Sequence, residues 1–408
     1  MKPLKEARAE VLDAMRRLPT LTVAVDDALG MVVADDAVAR GQLPPFDNSA
    51  VDGYALVASN VENPPVELAV NEDVAAGSVP TIAVRPGTAT RIMTGAPMPD
   101  GADAVVRVED TVAVTPDLVR IAASVQTGAD IRPAGDDMVP GDVIVKKGVR
   151  LTSRHLGSLA SAGIDPVVST KPTVAIMSTG DEVVETGTEE LEPGKIRDSN
   201  RVLLKGVLAE LGVPVLDLGI IGDDVDELKT AYERAAAEAD AIISTGGVSM
   251  GDYDFVKQVL GDLGNINLWK VAMQPGKPFA FGKINGVPLF GLPGNPVSTF
   301  VSFEQFVRPA LLHMMGATKL FRPHVPATMG EDVHTNDAKT VFVRVLVASE
   351  QDGSLVALQA GGQGSNLQST LANAEALAVV PVGTGSLSAG DAVTLEMYRW
   401  PEERSVDG

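Results

Sequence analysis

The sequence VAIMSTGDE, residues 174–182, joins an apolar run to a turn of small and polar residues. The same pattern recurs as AIISTGGVSMG at 241–251 and as VPLFGLPGNPVS at 287–298, and a fourth turn, QPGKP at 274–278, precedes the apolar run Phe279–Phe281. Such turns present backbone N–H groups without side-chain bulk, and a helix that begins just afterwards adds the positive end of its dipole. Several of them at one edge of a parallel sheet predict a pocket for an anion, chiefly a phosphorylated ligand.

The stretch around these turns, from 172 to 315, alternates between strand and helix periodicity. After the first turn, the pattern predicts a helix that ends at Gly212, and then a strand over 213–221, a helix over 225–238, a strand over 241–243 and a helix over 253–263. Strands that alternate with helices of this length are typical of a doubly wound parallel sheet. We therefore expect an α/β domain here.

The flanking regions have a different periodicity. From about 41 to 140, and again from about 322 onward, short runs with period two and frequent turns predict two small β-rich domains. Two amphipathic helices are expected at 3–18 and 152–162, the second with Thr152 as its N-cap and Gly163 as its C-terminal stop. These helices lie on either side of the first β-rich region, and we expect them to pack together.

The composition excludes several classes of function. The net charge of −21 and an aromatic content of 4% argue against a nucleic-acid partner, so an anionic ligand must be attracted by local cations and N–H groups. The chain contains no cysteine, which excludes a disulfide framework, a thiolate nucleophile and cysteine-ligated metal. No apolar stretch has the length of a membrane span, and the first residues lack a secretory signal, so a cytoplasmic protein without a membrane partner is expected.

Charged residues near the turns suggest how an anion would be held. Asp252 and Asp254 follow the glycines of the second turn, and carboxylates beside a phosphate require a bridging cation, for which Mg²⁺ is suited. Lys277 stands between two prolines, and Lys270 precedes it. The alternatives are a tight strand-to-helix turn for residues 244–251, a solvated pair for the two lysines, and a rigid connector for the turn at 292–296.

Six motifs occur in one order along the chain: FDNSAVDGYA at 46–55, RIMTGAP at 91–97, STGDE at 178–182, GGVSMGDYD at 246–254, PGKP at 275–278 and GLPGNPVS at 291–298. In this series the chain resembles the molybdopterin molybdenumtransferase family, to which the C-terminal domain of gephyrin is related. The resemblance extends over nearly the whole chain.

The resemblance implies a multidomain α/β plus β fold. Residues 1–40 and 141–171 would form a split helical segment, 41–140 an inserted β-rich domain, 172–318 the α/β molybdopterin-binding domain and 319–408 a C-terminal β barrel. It also implies a homodimer in which the insert of one subunit reaches the α/β pocket of the other. A molybdopterin adenylyltransferase and molybdoenzymes are candidate partners.

The resemblance further implies a reaction in which molybdate is inserted into adenylylated molybdopterin with Mg²⁺ and AMP is released. The catalytic positions carried over are Asp52, Thr94, Asp137, Glu182, Asp223, Asp254, Lys270 and Lys277. Cofactor-binding positions, taken from the turns and the resemblance together, are Ser178, Thr179, Gly180, Gly246, Gly247, Ser249, Gly251, Pro293, Gly294, Pro296 and Ser365. Glu182 and Asp254 are the expected Mg²⁺ ligands.

Two positions depart from the family pattern, and two other functions stay open. Gln274 stands where some members have Lys, so that one cationic contact is missing or replaced, and Val51 stands where Met is common. A molybdopterin adenylyltransferase resembles residues 172–315 alone, and the two β-rich regions argue against that single activity. A non-catalytic, gephyrin-like scaffold would keep the fold and lose the charged site residues, which this chain retains.

Overall fold

The structure is a computed structural model that describes residues 1–247, 261 and 264–400. The predicted helix over 253–263 and the site positions Ser249, Gly251 and Asp254 therefore lie outside the described residues. No helix in the described part of the chain is long and apolar enough to cross a membrane.

The N-terminal region begins with a helix and then forms short strands and a β-rich sheet. Its elements are α1 Leu4–Asp13, β1 Thr20–Thr22, β2 Ala37–Val38, β3 Asn48–Ser49, β4 Gly53–Leu56, β5 Val66–Val74, β6 Thr88–Ile92, β7 Ala104–Arg107, β8 Thr111–Thr115, β9 Leu118–Ile121, β10 Ile131–Arg132, β11 Val143–Val145, α2 Ser153–Ser161 and β12 Val167–Ser169. A six-stranded sheet has the order β7-β4-β6-β5-β9-β8. The β-rich character predicted for this region is confirmed.

The two segments that flank the β-rich region meet through strands, because β1 pairs with β12 and β2 with β11. The expectation that the two flanking helices pack together is wrong. Leu4, Ala7 and Val11 of α1 belong to the core of the α/β region, whereas Leu159 of α2 packs with Val33 and its neighbours. The first helix also ends at Asp13 rather than at 18, since the Leu18 N–H donates to the Met314 carbonyl (2.9 Å) instead of to its own helix.

The central region alternates strands and helices as predicted. Its elements are β13 Val174–Thr179, β14 Val183–Val184, β15 Ile196–Arg197, α3 Ser199–Leu211, β16 Val215–Ile221, α4 Val225–Glu238, β17 Ala241–Thr245, β18 Gly264–Lys270, β19 Met273–Gln274, β20 Pro278–Ile284, β21 Val287–Leu292, α5 Pro296–Ser302, a π-helix Phe303–Val307 and α6 Arg308–Met314. Asp198 caps α3 through its side chain, and Gly212 ends it in the left-handed conformation (φ 70°).

The central sheet is doubly wound, which confirms the predicted fold class. Alternate residues of β13 point to opposite faces: Val174 packs with Leu208 of α3, and Ala175 packs with Tyr232 of α4. The strand order is β16-β13-β17-β21-β20-β18, and the first four strands are parallel.

The last two strands of this sheet are antiparallel, a feature that the prediction of a parallel sheet did not include. Asn285 and Gly286 both have positive φ (49° and 86°) and join β20 to β21 in a tight hairpin. An Asn-Gly pair between apolar runs is a strong hairpin signal, so this reversal could have been predicted from the sequence.

The C-terminal region forms the predicted barrel. Its elements are β22 His324–Met329, β23 Thr340–Ser349, β24 Leu355–Gln359, α7 Gln368–Asn373, β25 Ala376–Val380 and β26 Ala392–Met397. The order β23-β24-β22-β26-β25 closes into a barrel because β25 also pairs with β23. Apolar side chains of these strands, among them Val343, Val345 and Leu395, fill its interior.

Candidate active site

The turns singled out in the sequence meet at one edge of the central sheet. Ser178 of β13 lies opposite Thr245 of β17, and Thr245 lies opposite Leu292 of β21. The Gly246 N–H of the second turn donates to Leu292 O at the third turn, and the Gly180 N–H of the first turn donates to Ile221 O at the end of β16, both at 3.2 Å. The carboxyl ends of four parallel strands thus form the predicted edge.

Glycine is required at two of these turns. Gly246 has φ 92°, and a Cβ there would lie 2.5 Å from the Thr179 carbonyl oxygen. Gly180 has φ 128°, and a Cβ there would lie 2.4 Å from a carboxylate oxygen of Glu182. The second turn can approach the first only because Gly246 lacks a side chain, whereas Gly180 is favoured by its positive φ, since the Glu182 carboxylate beside it can move. Gly247 also has positive φ (61°), and Gly294 of the third turn lies next to Gly246.

A buried polar network supports this edge from below. The Ser178 hydroxyl donates to Asp198 Oδ1 (3.0 Å) and lies 3.1 Å from Thr245 Oγ1, and the Thr179 hydroxyl donates to Thr245 O (3.2 Å). Asp198 in turn caps α3 by accepting from the Arg201 backbone N–H. The hydroxyls of Ser178 and Thr179 are therefore engaged within the protein, and their direct contact with a ligand stays a prediction.

Lys270 and Lys277 are brought to the same edge by the antiparallel hairpin. Because β20 runs opposite to β21, the beginning of β20 lies beside the end of β21, and Lys270 at the end of β18 pairs with Pro278. Both lysine side chains are exposed. The backbone of Lys2 holds this corner, since its N–H donates to Lys270 O and its carbonyl accepts from Ala272 N–H, each at 2.8 Å.

The barrel contributes Ser365 to the third turn. Asn295 Nδ2 donates to the Ser365 hydroxyl (3.1 Å), and the Val297 N–H at the start of α5 donates to Ser365 O (3.2 Å). Pro293 is buried, and Pro296 provides the first residue of α5. Ser365 and the turn at 293–296, which lie far apart in the sequence, therefore form one surface.

Arg344 is a site-supporting residue that the sequence analysis missed. Its guanidinium is fully buried and donates to Gly362 O (2.7 Å), to Gly364 O (3.1 Å) and to Thr370 Oγ1 (2.8 Å), which fixes the loop that carries Ser365. Burial lowers the pKa of Arg344. One feature of the sequence could have indicated Arg344: it is the single charged residue in the apolar run Val341–Val345. The other residues of this run pack in the barrel interior or in the core of the α/β region.

Asn200 was also missed. It is buried at the start of α3, and its Nδ2 donates to Gly294 O at 2.7 Å, so that it links the helix to the third turn. Nothing in its local sequence distinguishes it from an ordinary first-turn polar residue, because the contact depends on a residue far along the chain.

The predicted carboxylates are spread around the first turn. Glu182 is exposed and folds over Gly180, whereas Asp223 is linked to Asp181 by its N–H, which donates to Asp181 Oδ1 (3.0 Å). Over the residues that the structure describes, no three His, Asp or Glu side chains lie close enough to hold a metal ion. Glu182 is thus one described candidate ligand, and Asp254 lies outside the described residues.

Asp52, Thr94 and Asp137, the second group of predicted residues, all belong to the β-rich region. Asp52 Oδ1 accepts from both the backbone N–H and the hydroxyl of Thr94, each at 2.7 Å. These bonds, the backbone one first, lower the pKa of Asp52 below its ordinary value, with a smaller contribution from Arg91. Asp137 is exposed in a turn held by its N–H bond to Leu43 O (2.9 Å).

This second group is not joined to the sheet edge within the chain. Among the hydrogen bonds and ion pairs that the described residues form, none links residues 41–140 to residues 172–400. Of the predicted residues that the structure describes, those of the α/β region and of the barrel therefore lie around the edge of the central sheet, and those of the β-rich region lie apart from them.

The fold and site define a class: a multidomain protein in which a doubly wound domain, preceded in the chain by a β-rich region and followed by a barrel, gathers glycine turns at one edge of its sheet. Three family models match successive parts of the chain. They are the MoeA N-terminal region (domain I and II) at residues 2–163, a probable molybdopterin binding domain at 175–313 and the MoeA C-terminal region (domain IV) at 326–398. The chain belongs to the molybdopterin molybdenumtransferase family, as its motif series indicated.

Similar proteins cover almost the full length. The chain is 36% identical to a molybdopterin molybdenumtransferase of Haemophilus influenzae over 98% of this chain and 99% of that protein. It is 37% identical to molybdopterin molybdenumtransferase 2 of Mycobacterium tuberculosis over 96% of this chain and 98% of that protein. The crystal structure of the molybdopterin biosynthesis moeA protein from Pyrococcus horikoshii OT3 superposes with a TM-score of 0.82 at 30% identity, covering 98% and 100% of the two chains.

The Asp52–Thr94 contact generates a titration prediction. Thr94→Val removes one of the two bonds that favour the charged carboxylate, so the pKa of Asp52 should rise toward its ordinary value. The lowered pKa of Asp52 contributes to the free energy of unfolding at neutral pH, and this contribution is lost as the pH falls through the Asp52 pKa. At neutral pH the Thr94→Val variant should therefore have a smaller contribution than the wild type. Carboxyl-carbon NMR titration measures the change directly.

A matched control is available in the same sheet. Thr81→Val removes a hydroxyl bond to Glu72 and should raise the pKa of Glu72 while leaving Asp52 unchanged. If Asp52 titrates identically in wild type and in Thr94→Val, its depressed pKa has another cause.

Proposed function

We propose that this protein inserts molybdate into adenylylated molybdopterin, with Mg²⁺, and releases AMP. The observation that carries the proposal is the convergence at one sheet edge of two glycine turns that no other residue fits, two exposed lysines, and Ser365 from the barrel. The substrates of this reaction are anions, and such an edge suits them. Family membership supplies the chemistry, and the geometry supports the location.

The edge can act mainly by electrostatic stabilisation. Lys270 and Lys277 supply positive charge where the phosphoanhydride of the adenylylated substrate would break, and fixed backbone N–H groups of the turns require no reorganisation as charge develops. The sulfur ligands of molybdenum belong to the substrate, which agrees with a chain that has no cysteine. The side chains then serve to bind and orient the reactants.

Mg²⁺ fits the first turn through Glu182. Mg²⁺ is usually held by one or two carboxylates together with substrate phosphates and water, so it does not need a cluster of three protein ligands. Glu182 is exposed beside Gly180, and Asp254 is the proposed second ligand. When bound, the ion would offset the charge of the phosphate oxygens.

The two alternative functions make different demands on the structure. A molybdopterin adenylyltransferase would need only the central region, whereas here the barrel supplies Ser365 to the site and Arg344 holds it there. A scaffold would not need lysines at the sheet edge that form no ion pair with the described residues. We further propose that the protein acts in the cytoplasm, with a molybdopterin adenylyltransferase and molybdoenzymes as partners.

An AMP-release assay tests the proposal. With adenylylated molybdopterin as substrate, AMP should appear only when molybdate and Mg²⁺ are both present, and excess chelator should stop it. Consumption of ATP with unmodified molybdopterin would indicate the adenylyltransferase instead. No turnover of either substrate by the folded protein would favour the scaffold.

Lys277→Ala should slow AMP release by one to three powers of ten, about 1.5–4 kcal/mol of transition-state stabilisation, because a charge beside the reacting phosphate is lost. Folding should be unchanged, since the side chain is exposed. Lys283→Ala is the control: Lys283 lies toward the other end of β20, and its loss removes the same charge away from the edge. Equal rates in the two variants would remove Lys277 from the site.

We also propose that the complete site is assembled across a homodimer. Asp52 and Thr94 make no described hydrogen bond or ion pair with the central region of their own chain, so a second copy is the proposed source of their contact with the sheet edge. A two-fold dimer would then contain two equivalent sites, each built from both chains.

Mixed dimers test this assembly. Heterodimers of Asp52→Ala and Lys277→Ala subunits should hold one site with both lesions and one with neither, so activity should return to about half of wild type per dimer. Each parent variant alone should be nearly inactive. Heterodimers that are as inactive as their parents would show that both residues serve the same chain.

A further inference from the structure

Lys339 of the barrel lies beside the QPGKP turn. Its Nζ donates to Gln274 Oε1 at 3.4 Å, and its side chain is half-buried. The backbone fixes this approach, because β19 pairs in parallel with the start of β23, with Gln274 opposite Val341, and the Thr340 N–H donates to Ala272 O (3.0 Å). A lysine that is remote in sequence is thus held next to the residue that begins the turn of Lys277.

The charge of Lys339 is not neutralised by any carboxylate that the structure describes. Some lysines of this protein are ion-paired, as Lys205 is with Asp217 and Lys147 with Asp35, whereas several others form no ion pair with the described residues. Lys270, Lys277 and Lys339 form no such pair with the described residues, although Asp and Glu outnumber Lys and Arg in the chain by 54 to 33. Three cations that have no carboxylate partner among the described residues repel one another near one edge, and an anion bound between them would remove that repulsion.

A purely structural role does not require this side chain. The junction between barrel and sheet is already made by the backbone pairing of β19 with β23 and by the Thr340 bond. A single lysine–amide bond of 3.4 Å on a partly exposed side chain adds little to it. The position of the Lys339 ammonium group is therefore not explained by the stability of this junction.

We propose that Lys339 is a third substrate-binding cation of the site and binds an oxyanion, in a position equivalent to that of a lysine at 274. The proposal rests on the function proposed above. Gln274 is a neutral residue, and its amide oxygen accepts a hydrogen bond from the ammonium group of Lys339. That bond holds the ammonium group of Lys339 near the place where the ammonium group of a lysine at 274 would lie. The oxyanion is either molybdate or the phosphate of the adenylylated substrate.

Moving the positive charge from residue 339 to residue 274 tests the proposal. Lys339→Ala should raise KM for one of the two anions about 10- to 100-fold, with little change in unfolding temperature, and Lys339→Arg should stay near wild type. Gln274→Lys in the Lys339→Ala background should restore KM, because it returns the charge from the other side of the contact. Lys283→Ala controls for net charge. Separate titrations of molybdate and of adenylylated molybdopterin show which anion is bound.

Other results would overturn the inference. Wild-type KM for both anions in Lys339→Ala would exclude Lys339 from binding. If Lys339→Ala loses activity and also has a lower unfolding temperature, and Gln274→Lys does not restore the activity, then Lys339 stabilises the fold and does not bind the substrate. Calorimetric binding of molybdate and of AMP to the same variants separates this inference from the proposed function: weaker binding in Lys339→Ala supports Lys339 even if the wild-type protein releases no AMP.

Discussion

One close backbone approach shapes the site, that of the second turn to the first. The backbone of Gly246 passes so near the Thr179 carbonyl that a Cβ there would lie 2.5 Å from its oxygen. The site depends on this approach, since the third turn is hydrogen-bonded to the second and Ser365 is hydrogen-bonded to the third. A side chain at 246 would separate the ends of β13 and β17 and disperse the N–H groups that face a ligand.

The strands around the site concentrate positive charge in a protein that is acidic as a whole. An acidic protein with a net charge of −21 repels anionic substrates as a whole, so positive charge must be concentrated locally. The antiparallel hairpin β20–β21 brings Lys277 and Lys270 to the carboxyl edge of the parallel strands, and the barrel places Lys339 beside the same turn. The cations thus reach the edge by two routes, the hairpin and the barrel, and backbone pairing holds the segments that carry them.

The barrel and the β-rich region have contrasting relations to the site. Arg344 fixes the loop of Ser365 within the barrel, and Ser365 accepts bonds from Asn295 and Val297 of the third turn, so the barrel is fastened to the sheet edge within one chain. The β-rich region has its own core and presents the Asp52–Thr94 pair without a described polar contact to the central region. This asymmetry is why we propose that the second region acts on another copy of the chain.

The sequence by itself determined the local elements and the motif chemistry. The helix over 225–238, the stop at Gly212, the alternation of strand and helix, and the glycine turns were all predictable, because helix and strand periodicities and turn residues act over a few neighbours. Tertiary structure alone decided that α1 joins the α/β core, that Arg344 supports Ser365, that Asn200 binds Gly294 and that Lys339 meets Gln274. Such contacts join residues far apart in the chain, and they depend on strand order and register, which no local pattern encodes.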